Sequence, residues 1–134
     1  MAMQLTRHTD LALRLLIRLA DLGEQRATIA EIAQDQAIPR SHLMKIANDL
    51  VHAGFLEATR GRGGGIRLAL SPDQIRIGDV VAAMEPHCEM VRCSECRLVR
   101  RCTLPRHLDR AIQAFHAVLN EQTLADIMGV SDSA

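Results

Sequence analysis

The sequence predicts a mainly α fold carrying one β-hairpin, and three observations predict it. The chain is 48% hydrophobic, yet Phe55 and Phe115 are its only aromatic residues. Its core must therefore be built from Leu, Ile, Val, Ala and Met, residues that pack well between helices. Second, apolar side chains recur at helical spacing in several runs punctuated by Gly or Pro. Third, only one pair of runs alternates with period two, and a glycine-rich link joins them. A length of 134 residues suits a single domain plus a modest association element.

Residues 5–22 form the first expected helix. Leu13, Leu16, Ile17 and Ala20 repeat on one face, Thr6 or Thr9 can cap the start, and Gly23 suits the end. Thr28 caps a short helix from Ile29 to Asp35, with Glu31 completing a capping box. Ala37-Ile38-Pro39 interrupts the pattern. A third helix runs from Arg40 or Ser41 to His52 and stops at Gly54. Leu43, Ile46, Ala47, Leu50 and Val51 line its apolar face, while Arg40, His42, Lys45 and Asn48 occupy the other. Phe55–Arg60 and Ile66–Leu70 are the two strands, joined through Gly61-Arg62-Gly63-Gly64-Gly65. Ile77–Glu85 is a short helix ended by Pro86. Residues 87–102 show no periodicity. A long helix follows from Leu104 to Asn120, with Pro105 tolerated in its first turn. Thr123 caps a last turn, Leu124–Met128.

Helix, short helix, tight turn, helix and glycine-tipped hairpin is the order of a winged helix-turn-helix. We therefore divide the chain into a winged helix-turn-helix DNA-binding domain (1–85), a cysteine-rich loop (86–103), a dimerisation helix with its terminal turn (104–128) and a disordered tail (129–134). The third helix can lie in a major groove with Arg40, His42 and Lys45 facing base edges and phosphates. Arg60 and Arg62 at the hairpin tip suit the DNA backbone or a minor groove, where glycine lets the main chain approach closely.

Charge patterning agrees. The formal net charge is zero, but residues 36–70 hold five basic against two acidic side chains, and residues 88–110 six against three. Two local anion-binding surfaces in a neutral chain fit this better than a diffuse polycation. Several function classes drop out. Without Tyr or Trp there is no platform for stacking single-stranded bases. No apolar run is long enough to span a bilayer and no hydrophobic leader opens the chain, so a cytoplasmic protein is expected. The glycine tip lacks the Gly-Lys-Ser/Thr ending of a phosphate loop and precedes a strand.

All four cysteines fall within 15 residues, spaced Cys88-x4-Cys93-x2-Cys96-x5-Cys102. Clustering in a chain without an export signal points to metal or redox chemistry before disulfide scaffolding. Thiolates this close on irregular backbone can converge on one metal centre. Arg92, Arg97, Arg100, Arg101 and Arg106 surround them and can offset the negative charge of a thiolate-bound iron–sulfur cluster. Zinc uses the same residue types, but normally in two separated knuckles, and only Cys93-x2-Cys96 makes one. A thioredoxin-like use of that pair needs a βαβ setting that is missing, so no enzyme is expected. The last long helix carries Leu108, Ala111, Ile112, Phe115, Val118 and Leu119 in a stripe too wide for its own domain to cover, so a homodimer reading a two-fold operator is expected.

Several motifs together resemble the iron–sulfur winged-helix regulator family of IscR and NsrR. They are Met3-Gln4-Leu5-Thr6, Thr9-Asp10, Ala12-Leu13-Arg14, Arg60-Gly61 with Gly63-Gly64-Gly65-Ile66-Arg67-Leu68, Ile77-Gly78-Asp79-Val80-Val81 and Thr123-Leu124-Ala125-Asp126-Ile127. Cys102-x-Leu104 and Ala111-x-x-Ala114-Phe115 place the resemblance nearest the nitric-oxide-sensitive NsrR branch. The resemblance covers about residues 3–128. It implies a homodimeric repressor of double-stranded operator DNA whose cluster, 4Fe–4S with 2Fe–2S or zinc as alternatives, responds to nitric oxide. An iron-responsive or cluster-biogenesis regulator of the same fold is the alternative function. By the same resemblance Cys93, Cys96 and Cys102 hold the cluster, and Asp10 of the partner subunit supplies the fourth ligand. Cys88 is an alternative fourth ligand, because the gap between Cys93 and Cys96 is tighter than the family's usual one. An acid in the first helical turn such as Asp10 also simply favours its own helix dipole, by under ~1 kcal/mol. The resemblance adds Ser41 to the DNA-contacting set, and Met44 stands where the IscR type carries an acidic base reader. Pro105 stands where that type carries a histidine ligand. His107 and His87 read as incidental histidines.

Overall fold

The structure is a computed structural model that describes residues 4–86, 97 and 102–128. Its described elements run α1 (Arg7–Leu22), α2 (Ile29–Gln36), α3 (Arg40–Ala53), β1 (Leu56–Thr59), β2 (Gly65–Leu68), a 3-10 turn (Pro72–Gln74), α4 (Ile77–Met84), α5 (Leu104–Leu119) and α6 (Leu124–Ile127). The mainly α winged helix-turn-helix expected from the sequence is the fold observed. The predicted tail 129–134 lies outside the described residues.

Capping decides where the helices start. Thr6, not Thr9, caps α1: the Thr6 side chain accepts from the Thr9 amide at 3.3 Å. Thr9 is fully buried, its hydroxyl 3.1 Å from that of Thr6. Thr28 and Glu31 close the expected capping box on α2, with reciprocal bonds of 3.1 and 2.8 Å. Those bonds hold the Glu31 carboxyl below its ordinary range. The helix-turn-helix turn is made by Ala37, a left-handed residue at φ 55°. That conformation costs an alanine roughly 1–2 kcal/mol.

Leu15, Leu16 and Leu19 of α1, Leu43, Ile46 and Leu50 of α3, and Val80 and Val81 of α4 fill one core. Each such side chain contributes about 1.5–3 kcal/mol when buried. The core closes with the other end of the chain. Ile77 donates to Gln122 O at 3.0 Å, the Leu124 amide to Ile75 O at 2.7 Å, and the Leu124 side chain is fully buried. Gly78 lets the last turn of α5 dock on α4, since a Cβ there would lie 2.3 Å from Asn120 Oδ1.

The strands are shorter than the sequence predicts and pair antiparallel with Leu56 opposite Leu68 and Thr59 opposite Gly65. A third segment joins them. Ala27, between α1 and α2, bridges Ile66 through bonds of 3.2 and 2.8 Å. Gly65 makes this possible: it sits at φ 142°, and a Cβ there would lie 2.6 Å from Ala27 O. No described helix is long and apolar enough to cross a membrane.

Candidate nucleic-acid interface and cluster ligands

α3 is built to present one face. Its apolar positions Leu43, Ile46, Ala47 and Leu50 are buried, so helical spacing turns Arg40, Ser41, Met44, Lys45 and Asn48 outward. His42, expected on the polar face, is half-buried at its flank. Lys45 Nζ reaches no nearer than 3.8 Å to Asp49, an exposed pair worth little. Arg40 makes no ion pair among the described residues.

The hairpin adds a second set of donors. Within it, Arg67 Nε and Nη2 both lie 3.1 Å from Glu57 Oε1, on the directly opposite residue. That pair neutralises the middle of the wing. Arg60 and Arg62 at the tip are exposed and form no ion pair among the described residues, so the uncompensated charge sits at the tip. The tip is closed by Gly64 N donating to Gly61 O at 2.9 Å.

Sequence reasoning missed Arg26. It is exposed beside Ala27, and the bridge to Ile66 places it by the tip end of the hairpin. There Arg26, Gly63, Gly64 and Arg67 line an open cleft of about 580 Å³. A single bridging residue has no periodicity, so only the basic residue itself was there to be read.

The predicted cluster ligands divide. Cys88, Cys93 and Cys96 lie outside the described residues. Cys102 is a free, exposed cysteine two residues before α5. Asp10 lies in the first turn of α1, where Arg14 holds both its oxygens: Nε to Oδ1 at 2.9 Å and Nη2 to Oδ2 at 3.2 Å. It also lines a shallow surface pocket with Gln4, Leu5, Arg7 and Leu13. Among the described residues no three His, Cys, Asp or Glu side chains converge on a metal position. A free thiol and a surface carboxylate are donor types that an iron–sulfur cluster accepts, so the two described candidates fit that group in kind. His107 is exposed.

α5 completes the picture. None of its residues is buried, and Leu104, Phe115 and Val118 are 48%, 46% and 60% exposed.

The comparisons follow this geometry. CymR (YrzC), described as the global cysteine regulator of B. subtilis, is 26% identical with a TM-score of 0.74, covering 97% of this chain and 99% of that one. A candidate transcriptional regulator from Listeria innocua is 26% identical with a TM-score of 0.79, covering 99% and 91%. IscR of T. potens shares the fold at 20% identity, with a TM-score of 0.76 over 98% and 95% of the two chains. Residues 5–129 match the family described as Rrf2, iron-dependent transcriptional regulator. The chain therefore belongs to the Rrf2 family and is a transcriptional regulator, not an enzyme.

Proposed function

We propose that this Rrf2 regulator is a homodimeric repressor that reads double-stranded DNA through α3 and the wing and responds to nitric oxide through an iron–sulfur cluster. One observation carries the DNA-reading half: the helix-turn-helix and its wing expose the outward row of α3 together with Arg60 and Arg62, which form no ion pair among the described residues. Arg40, Ser41, His42 and Lys45 contact the major groove and its phosphates, and Arg60 and Arg62 contact the backbone or minor groove. The division of labour is a DNA-binding unit over 1–85, a ligand-bearing loop over 86–103 and a dimerisation helix over 104–128. The exposed apolar face of α5 takes a second copy of the chain.

Cys93, Cys96 and Cys102 would hold the cluster, with Asp10 of the partner subunit as fourth ligand and Cys88 as the alternative. When bound, a cluster supplies iron that reacts with nitric oxide. The chain's own residues do the rest. Arg14 holds both oxygens of the Asp10 carboxylate, so a ligand role for Asp10 would draw on a carboxylate that is already ion-paired. Arg97 and Arg106, both exposed, follow Cys96 by one residue and Cys102 by four in the chain, so their positive charge suits a thiolate-rich segment. The cysteine spacing and the resemblance to the nitric-oxide-sensitive branch support this sensing role. An iron-responsive regulator with the same ligands is the second reading, favoured by the family's description as iron-dependent.

Duplexes selected in vitro from a random library test the proposal. Iron-loaded protein, purified without oxygen, should bind them at least tenfold more tightly than chelator-stripped protein, and nitric oxide should abolish the difference together with the visible absorbance. Equal affinity of the two forms refutes the switch. Insensitivity to nitric oxide with dependence on iron leaves the second reading. Arg60→Ala with Arg62→Ala should lower the slope of log affinity against log salt by about 2, one per lost phosphate contact. An unchanged slope refutes the wing assignment.

A further inference from the structure

Glu85 is the last residue before the cysteine-rich loop, and it does not face solvent idly. Its Oε2 accepts two hydrogen bonds from Thr6, 79 residues away: from the backbone amide at 2.9 Å and the hydroxyl at 2.8 Å. Thr6 is the N-cap of α1, and its carbonyl accepts the Asp10 amide at 3.0 Å. The exit of α4 is thus tied to the turn that bears Asp10. One turn of α1 then reaches the DNA-reading helix: His8 Nε2 lies 3.0 Å from Asp49 Oδ2 on α3, the carboxylate that also faces Lys45. Burial alone would raise the Glu85 carboxyl; hydrogen bonds from Thr9 and Thr6 and the nearby His8 overcome it, leaving Glu85 below its ordinary value. The clasp is therefore a charged one at neutral pH.

We propose that Glu85 is a positioning residue that couples the cysteine segment to α3 by clasping the α1 N-cap, with His8 and Asp49 as the second link. Two discrete polar contacts, Glu85 with Thr6 and His8 with Asp49, join the segment's root to α3, and a rearranged root that withdraws Glu85 frees the first turn of α1. The coupling role rests on the DNA-switch reading above; the clasp itself does not.

The test uses full-length wild type, Glu85→Ala and Glu85→Gln, each iron-loaded and chelator-stripped, on a duplex selected in vitro. The readouts are iron content, the ratio of stripped to loaded Kd, and amide hydrogen exchange of residues 6–10 in the stripped protein. Glu85→Ala should keep its iron, reduce the Kd ratio from at least tenfold to under about threefold, and raise exchange of the Thr6, Thr9 and Asp10 amides about tenfold. Glu85→Gln should restore both readouts, because one oxygen takes both bonds and an amide oxygen can replace it. A wild-type Kd ratio in Glu85→Ala overturns the proposal, as does unchanged exchange. If wild type itself shows no ratio, the switch reading fails and the coupling role with it, while raised exchange in Glu85→Ala still establishes the clasp.

Discussion

α1 and α5 are both 16 residues long and both strongly two-faced, yet α1 buries six residues and α5 none. In the sequence they look alike: apolar side chains at three- and four-residue spacing over the same length. The difference is where the partner lies. α1 meets α3 and α4 of its own chain, whereas among the described residues α5 docks through its last turn, by Leu119, Asn120 and Gly78. Periodicity thus reports that a face wants covering, and only the fold reports whether the same chain covers it. The two aromatic residues make the same point, with Phe55 buried in the core and Phe115 half exposed on α5.

The largest expected effect breaks the α1 side. Leu16→Ala should cost about 2–5 kcal/mol, a large share of a small domain's stability, and the loss should not depend on protein concentration. Denaturant titration at two concentrations checks it. The matching change on α5, Phe115→Asp with Val118→Asp, should leave the monomer's core intact and shift the protein from dimer to monomer, weakening operator binding at least tenfold. Analytical ultracentrifugation alongside circular dichroism separates the two cases; a monomer that is also unfolded would erase the contrast between the helices. Ala37→Gly is a control inside the packed unit. Relieving the left-handed alanine should stabilise by about 1 kcal/mol, seen as a Tm rise of a few degrees.

The smallest effect is expected from acid. Glu85, Glu31 and Asp126 all titrate below their ordinary values, each through hydrogen bonds at the start of a helix. Groups depressed in the folded state give stability that is present above their unfolded pKa and fades as pH falls through the folded one. Stability should therefore be level at neutral pH and decline below about 4.5, the ordinary glutamate value. Exchange should rise first at the entries of α1, α2 and α6. The entry of α5 should not join them, because Thr103 makes no side-chain cap bond. Uniform acid exchange across all four entries would count against that difference.

Local physics made most of the fold legible. The capping box of Thr28 and Glu31, the stop at Gly54 and the apolar row of α3 all act within four residues, and each lies where the sequence puts it. What stayed hidden depends on long-range meetings. Thr6 and Thr9 compete locally as caps, and the contest is settled by Glu85 and by burial of Thr9. The bridge from Ala27 to Ile66 and the return of Leu124 to the core leave no spacing pattern at all. Of the candidate site, α3 and the wing were legible because exposure follows from helical and strand geometry. The proposed ligand set rests on chemistry alone, on the clustering of cysteines, since Cys88, Cys93 and Cys96 lie outside the described residues.

The bridge between Ala27 and Ile66 clamps the wing one residue pair short of its tip, since Ile66 lies opposite Ala58 and the last pair is Thr59 with Gly65. The glycine-bearing loop from Arg60 to Gly64, with the Arg60 and Arg62 guanidinium groups, lies beyond the clamp and outside the strand ladder. The ladder behind that loop is held against the segment between α1 and α2 rather than left to stand alone. If the wing meets a duplex as proposed, groove width would set how far that loop must flex, and the elastic cost of doing so would enter the choice of sequence.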